Sequence, residues 1–374
     1  MNGFERISSV LCGGEVDVVP VMLHNFMPAA REAGLTMQQF RSQPENIARA
    51  FIEASLRYGL DGILTDVDTA LEAYALGAEV IFDEDMPAKV VAPISDRIEE
   101  VTDKIDVGKL DKDERIQIYL EAIRIMREKV GGELFIRANA DQGAFSLAAA
   151  VYGISNMMLG LAMPNMEESI LRLIERCYVV NLRFHKLIME AGADMTSFGD
   201  SMGSPDLISP KMFQKFVLPF QKRLVVDLST LTFPKPNAQS QQNESVAQGQ
   251  NLPPVPDVEV QSGIRTVCHI CGKTDRILEL MSGCGFDGVE IDYKTNVADV
   301  QKIMYGKSVV FGILDPSGVF CFGNEAMIRE TTQNVLDIFQ GRGLVIGAGC
   351  ALPAETPSEN IKTFVKTARN YRFR

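Results

Sequence analysis

The segment His269-Ile270-Cys271-Gly272, together with Cys350 in Gly347-Ala348-Gly349-Cys350, offers one imidazole and two thiols. One nitrogen and two thiolates make a three-ligand zinc site with a fourth position open, the arrangement of catalytic rather than structural zinc. The spacing has a geometric reading. Residues two apart on a β-strand point to the same side, so His269 and Cys271 can grip one ion at a strand end while Cys350 arrives from a distant strand. Cysteines also serve as small buried hydrophobes. Cys268 adjoins His269 and so points to the opposite side of the strand, and Cys12, Cys177, Cys284 and Cys321 have no partner at ligand spacing; all five are read as packing residues.

The elements that must position these ligands follow from the rest of the chain. Short β-branched runs alternate with helical patterns throughout: 18–22, 62–66, 134–138, 195–199, 264–270, 288–292, 309–313 and 344–348. Eight strands alternating with helices predict an α/β fold, a single (β/α)8 TIM barrel over residues 1–374, whose working residues sit at the C-terminal strand ends. Those ends carry His24 and Asn25, Asp66 and Asp68, Asn139 and Asp141, Asp200 and Ser201, His269 and Cys271, Glu290 and Asp292, Asp315, and Cys350. The metal-ligand groups thus fall on one face of the barrel. Thr356-Pro357-Ser358-Glu359 and Ser209-Pro210 read as helix starts. Residues 230–261, crowded with Pro, Gln, Asn and Ser, read as a flexible insertion before strand five, leaving from the face opposite the site. A linker between two domains is the competing reading, and closure of the barrel by strands five to eight argues against it. A second excursion, from Val80 to about Lys109, is long for a loop and has no assigned role.

Composition bounds the partners. The chain has 374 residues, 46% of them hydrophobic, and a net charge of −12. That charge repels nucleic acid and anionic membranes, so neither is expected as a partner. No apolar run reaches the roughly 18 residues of a membrane span, and the N-terminus lacks a signal-peptide pattern. Seven cysteines without close spacings fit reduced thiols, and the cytoplasm is the expected location.

Five segments carry a family resemblance: Asp61-Gly62-Ile63-Leu64-Thr65-Asp66, Gly203-Ser204-Pro205-Asp206-Leu207-Ile208-Ser209-Pro210, His269-Ile270-Cys271-Gly272, Gly285-Phe286-Asp287-Gly288, and Gly349-Cys350-Ala351-Leu352-Pro353-Ala354-Glu355-Thr356-Pro357. Together they resemble the uroporphyrinogen decarboxylase superfamily, and within it the methylcobamide:coenzyme M methyltransferase branch, from about residue 4 to 371. The resemblance implies a (β/α)8 barrel and zinc held by His269, Cys271 and Cys350. In the decarboxylase branch an arginine-rich stretch after the first strand receives the porphyrinogen carboxylates. The corresponding Leu23-His24-Asn25-Phe26-Met27-Pro28 has no arginine, which disfavours that lyase reaction.

The implied activity is transfer of a methyl group from a methylated corrinoid to a thiol such as coenzyme M. Metal binding lowers a thiol's pKa from its usual value of about 8.5, and the thiolate is the nucleophile. Asp200 and Glu290 are the candidate catalytic groups, with Glu290 or Asp292 as a possible fourth metal ligand. His24, Asn25, Asp66, Asn139 and Ser201 are the candidate cofactor contacts, and His185, mid-helix, reads as structural. No Asp-x-His-x-x-Gly corrinoid motif occurs, so the methylcobamide is expected on a separate corrinoid protein that docks transiently. The competing readings are a decarboxylase-like lyase, a methyltransferase with a non-thiol acceptor such as tetrahydrofolate, and a non-catalytic corrinoid-protein chaperone.

Overall fold

In the computed structural model, which describes residues 1–234 and 260–373, seven of the expected strands form one parallel sheet. They run Gly62–Thr65, Phe135–Gln142, Met195–Gly199, Thr266–Ile270, Gly288–Ile291, Val309–Leu314 and Leu344–Ala348, neighbours in space as in sequence. The eighth expected strand, residues 18–22, is not a regular strand. It makes a single parallel bridge, Val21 to Ile346, and the reason lies in its donors. Pro20 has no N–H, and the Val21 N–H is taken by the Asp61 carboxylate at 2.6 Å.

The segment still closes the sheet into a (β/α)8 barrel. On one side Met22 N donates to Ile346 O and Ile346 N to Pro20 O, and on the other Asp61 N donates to Val21 O. Gly347 lets this seam form, because a Cβ there would lie 2.1 Å from Met22 O.

Two apolar cores flank the sheet. Inside the barrel Met22, Leu64, Phe135, Met195, Val267, Val309, Phe311 and Val345 pack together, and the helix Gly3–Leu11 seals the floor with Ile7 and Val10. Full burial of each such side chain stabilises by roughly 1.5–3 kcal/mol for the larger aliphatic and aromatic types. Outside it, helices lay apolar stripes on the strands. Pro44–Tyr58 is representative: Ile47, Phe51, Ala54 and Tyr58 recur at helical spacing and are buried, and Gly59 ends the helix at φ +65°.

The stems of the 230–261 insertion pair as an antiparallel ribbon, Thr232–Pro234 with Val260–Ser262. Residues 235–259 lie outside the described residues, and with them most of the expected insertion. The ribbon joins the end of helix Leu218–Ser229 to strand Thr266–Ile270, which puts it on the barrel floor. The excursion after Val80 is structured: Glu79–Ile81 pairs with Lys89–Ala92, followed by helix Ile98–Lys104. Of the two expected helix starts, Ser209 caps as expected, its hydroxyl accepting from Met212 N. Thr356 does not; its hydroxyl donates to Pro353 O and the helix begins at Ser358.

Candidate metal centre

His269 sits one residue before the end of its strand, paired with Gly199 on one side and Glu290 on the other. Cys271 is the first residue past that strand, and Gly272 turns the chain at φ +91°. A Cβ on Gly272 would fall 2.2 Å from the Asp206 carboxylate, so the turn needs glycine. Cys350 follows strand Leu344–Ala348 by two residues, its loop pinned by Gly349 N donating to Leu314 O at 2.8 Å.

The three side chains converge as the spacing predicts. One ligand atom from each of His269, Cys271 and Cys350 lies within 4.8 Å of the other two. The donor set fits zinc. A tetrahedral ion with Zn–S bonds of about 2.3 Å sets two sulfurs about 3.8 Å apart, and the Cys271 and Cys350 Sγ atoms are 3.8 Å apart. His269 Nε2 to Cys271 Sγ, at 2.9 Å, is a hydrogen-bond contact. It is tighter than the roughly 3.6 Å edge of the same tetrahedron, so an ion requires the imidazole and that sulfur to separate by about 0.7 Å. His269 Nδ1 donates to the Glu290 carbonyl oxygen at 3.1 Å, which leaves Nε2 for the metal; a ligand histidine is usually oriented this way.

Electrostatics bias the triad toward a deprotonated sulfur. A hydrogen bond from the Cys350 thiol, with His269 beside it, overcomes burial and brings Cys271 down to about 3. Cys350, the donor in that bond, is pushed well above the usual thiol range and keeps the proton. Burial opposes charge on His269, but the Cys271 thiolate and then Glu290 lift it to about 10. Ser201 Oγ accepts from Cys271 N at 3.1 Å, fixing the turn that presents the thiol.

Glu290 is placed behind the triad. Its carboxylate binds Arg137 Nη2 at 2.6 Å and lies 3.5 Å from His269 Nδ1, the nitrogen turned away from the sulfurs. Burial works against its charge, yet Arg137 and then His269 hold it below the usual carboxylate range. Glu290 therefore supports His269 and is not among the converging ligand atoms. Asp292 does not reach them either; its two oxygens accept from Gly272 N and Lys294 N. Asp200 is also occupied, accepting from the Ser146 amide and hydroxyl and from Gln221 Nε2. Burial raises its pKa, and the geometry makes it a brace between the Ser201–Gly203 turn and its neighbours.

His24 and Asp66 meet at 2.8 Å on the triad's side of the barrel. Asn25 is buried at the start of helix Phe26–Glu32 with no side-chain cap bond. Asn139 Oδ1 reaches Ser197 Oγ only at a marginal 3.5 Å. His185 is fully buried within helix Glu167–Glu190, as its sequence context implies. Cys177, Cys268, Cys284 and Cys321 are buried, whereas Cys12, expected to pack, is exposed on the floor with Arg265 Nη2 at 3.1 Å. A cavity of about 750 Å³ also opens on the floor, between Cys12 and Lys307, remote from the triad. Sequence reasoning missed Arg137. A charged residue at an inward position of the apolar run Phe135-Ile136-Arg137-Ala138 was the available signal, because an unpaired charge there is prohibitive.

The (β/α)8 barrel gathers an imidazole and two thiols, a donor set of the kind that binds thiophilic metals, at the C-terminal ends of its strands. The chain belongs to the uroporphyrinogen decarboxylase (URO-D) family, whose profile matches residues 2–371. It is 29% identical to the methylcobamide:CoM methyltransferase MtbA of Methanosarcina acetivorans, aligned over 69% of this chain and 65% of that protein. It is 24% identical to MtbA of Methanosarcina mazei over 99% of this chain and 98% of that one. The fold is shared with a solved methyltransferase from Methanosarcina mazei: TM-score 0.81, 21% identity, 98% of both chains covered. Among the described residues no single helix is long and apolar enough to cross a membrane.

Proposed function

We propose that this chain is a zinc-dependent methyltransferase moving a methyl group from a methylated corrinoid, carried by a separate protein, to a thiol acceptor. The observation that carries the reading is the convergence of His269, Cys271 and Cys350 at one strand-end face. The methylcobamide:CoM methyltransferases among its relatives support the substrate class. His269, Cys271 and Cys350 would hold the zinc, which when bound would lower the pKa of the acceptor thiol. The chain's own residues do the remaining work. The Glu290 carbonyl fixes the His269 ring, Arg137 holds the Glu290 side chain beneath it, and Ser201 sets the Cys271 turn. The absence of an Asp-x-His-x-x-Gly segment supports an external corrinoid carrier.

The test is metal analysis followed by an anaerobic absorbance assay of methylcobalamin demethylation across small thiols, beginning with 2-mercaptoethanesulfonate and homocysteine. About one zinc per chain and thiol-dependent demethylation are expected. Cys350→Ala should lose the metal, while Cys284→Ala, away from the triad, should keep it; equal loss from both overturns the ligand assignment. Demethylation onto a folate with no response to thiols would replace the acceptor class.

A further inference from the structure

A thiol that acts as a nucleophile sheds a proton, and some group beside the metal ligands has to receive it. We propose that His24, oriented by Asp66, is that base, an inference that rests on the methyltransferase reading. His24 Nε2 lies 2.8 Å from Asp66 Oδ2. A carboxylate accepts and cannot donate, so Nε2 carries the hydrogen and Nδ1 keeps its lone pair. Asp66 is itself fixed, its Oδ1 accepting from Val67 N at 2.8 Å.

His24 Nδ1 is buried without a hydrogen-bond partner. The His24 carbonyl accepts from Leu352 N, two residues past Cys350, which ties the residue to the loop that carries that thiol. Glu290 Oε1 lies 3.9 Å from His24 Nδ1 and 3.5 Å from His269 Nδ1. The charged groups facing His24 are thus Asp66 from one strand and Glu290 from another, with Arg137 and His269 behind Glu290. Phe26 covers one side of the ring at 5.5 Å.

The step balances as follows. The acceptor R–SH gives its proton to His24 Nδ1, and the freed sulfur pair forms the S–CH3 bond. The C–Co bonding pair stays on cobalt, taking Co(III) to Co(I). The imidazolium then returns its proton to solvent.

The experiment compares wild type with His24→Gln and Asp66→Asn, each with zinc content measured first. Titration with 2-mercaptoethanesulfonate in buffers of different ionisation heat counts the protons released. Wild type should release distinctly less than one proton per site, because His24 takes it up, and His24→Gln about one. For methylcobalamin demethylation, His24→Gln should lose roughly hundredfold with weakly acidic thiols, and less with trifluoroethanethiol, which ionises unaided. Asp66→Asn should fall the same way by a smaller factor. Identical proton counts in wild type and His24→Gln, or a loss independent of thiol acidity at full zinc content, overturns the proposal. No demethylation by zinc-loaded wild type with any thiol instead overturns the reading beneath it.

Discussion

Asp141 lies at the mouth-side end of its strand at φ +52°, fully buried; burial, and then Asp68 beside it, push its carboxyl up to about 8. An unfolded carboxyl titrates near 4. Between about pH 4 and 8 the folded protein therefore holds a proton that the unfolded chain has released. Its contribution is fully present below the lower value and is lost as the pH rises through the upper one. Asp141→Asn removes that titration and suits the left-handed backbone. Denaturant unfolding should show a flatter stability profile for the variant across this window, with a gain on the order of a few kcal/mol at pH 8.

The same residue marks a limit of the sequence reading. Asp141 was legible as a strand-end carboxylate, but its neutral state depends on burial and on Asp68 and Asp66, brought beside it by folding. The His269–Cys271 pair was legible because period-two geometry is local, and Cys350 because the strand alternation places it at the same end of the barrel. Asp200 and Glu290 were legible as strand-end residues but not as a brace and a support, because hydrogen-bond partners 54 and 21 residues away decide that.

At the scale of elements, the seam depends on one side chain. The Asp61 carboxylate accepts from Val21 N and pairs with Arg6 of the floor helix and Arg369 of the last helix, at 2.9 and 2.7 Å. It is 1% exposed. Asp61→Ala strips three donors of their partner, and removing one member of a buried ion pair costs about 3–5 kcal/mol. Denaturant titration should show that loss, and Asp61→Asn, which retains an acceptor for Val21, a smaller one. The seam also explains the one strand that failed to form. Residues 18–22 have the right composition and the right place, and Pro20 with the Asp61 side chain removes the donors a ladder requires.

At the scale of the molecule, chemistry and insertion lie at opposite poles. The triad occupies the strand C-terminal ends, while the ribbon that carries residues 235–259 leaves from the floor. Replacing 235–259 with a short Gly/Ser turn should leave zinc content and demethylation of free methylcobalamin within about twofold of wild type, since neither pole supports the other. Loss of zinc on that replacement would refute the separation. Barrel class and the opposite placement of the two features were both readable from the alternation of strands and helices, which fixes the end from which each connection leaves.

A barrel with one irregular stave has a preferred place to breathe. Elsewhere its neighbours are zipped by regular ladders, but at residues 20–22 a few main-chain bonds and one carboxylate hold the cylinder shut. Native-state hydrogen–deuterium exchange should find the Met22, Asp61 and Ile346 amides trading protons well before those of Thr196 and Val267 in the opposite wall. The opening free energy of the seam should then fall below that of global unfolding. Cys350 lies on the stave beside that seam and His269 on the far wall, so such a fluctuation would part the two halves of the metal cluster without unfolding either.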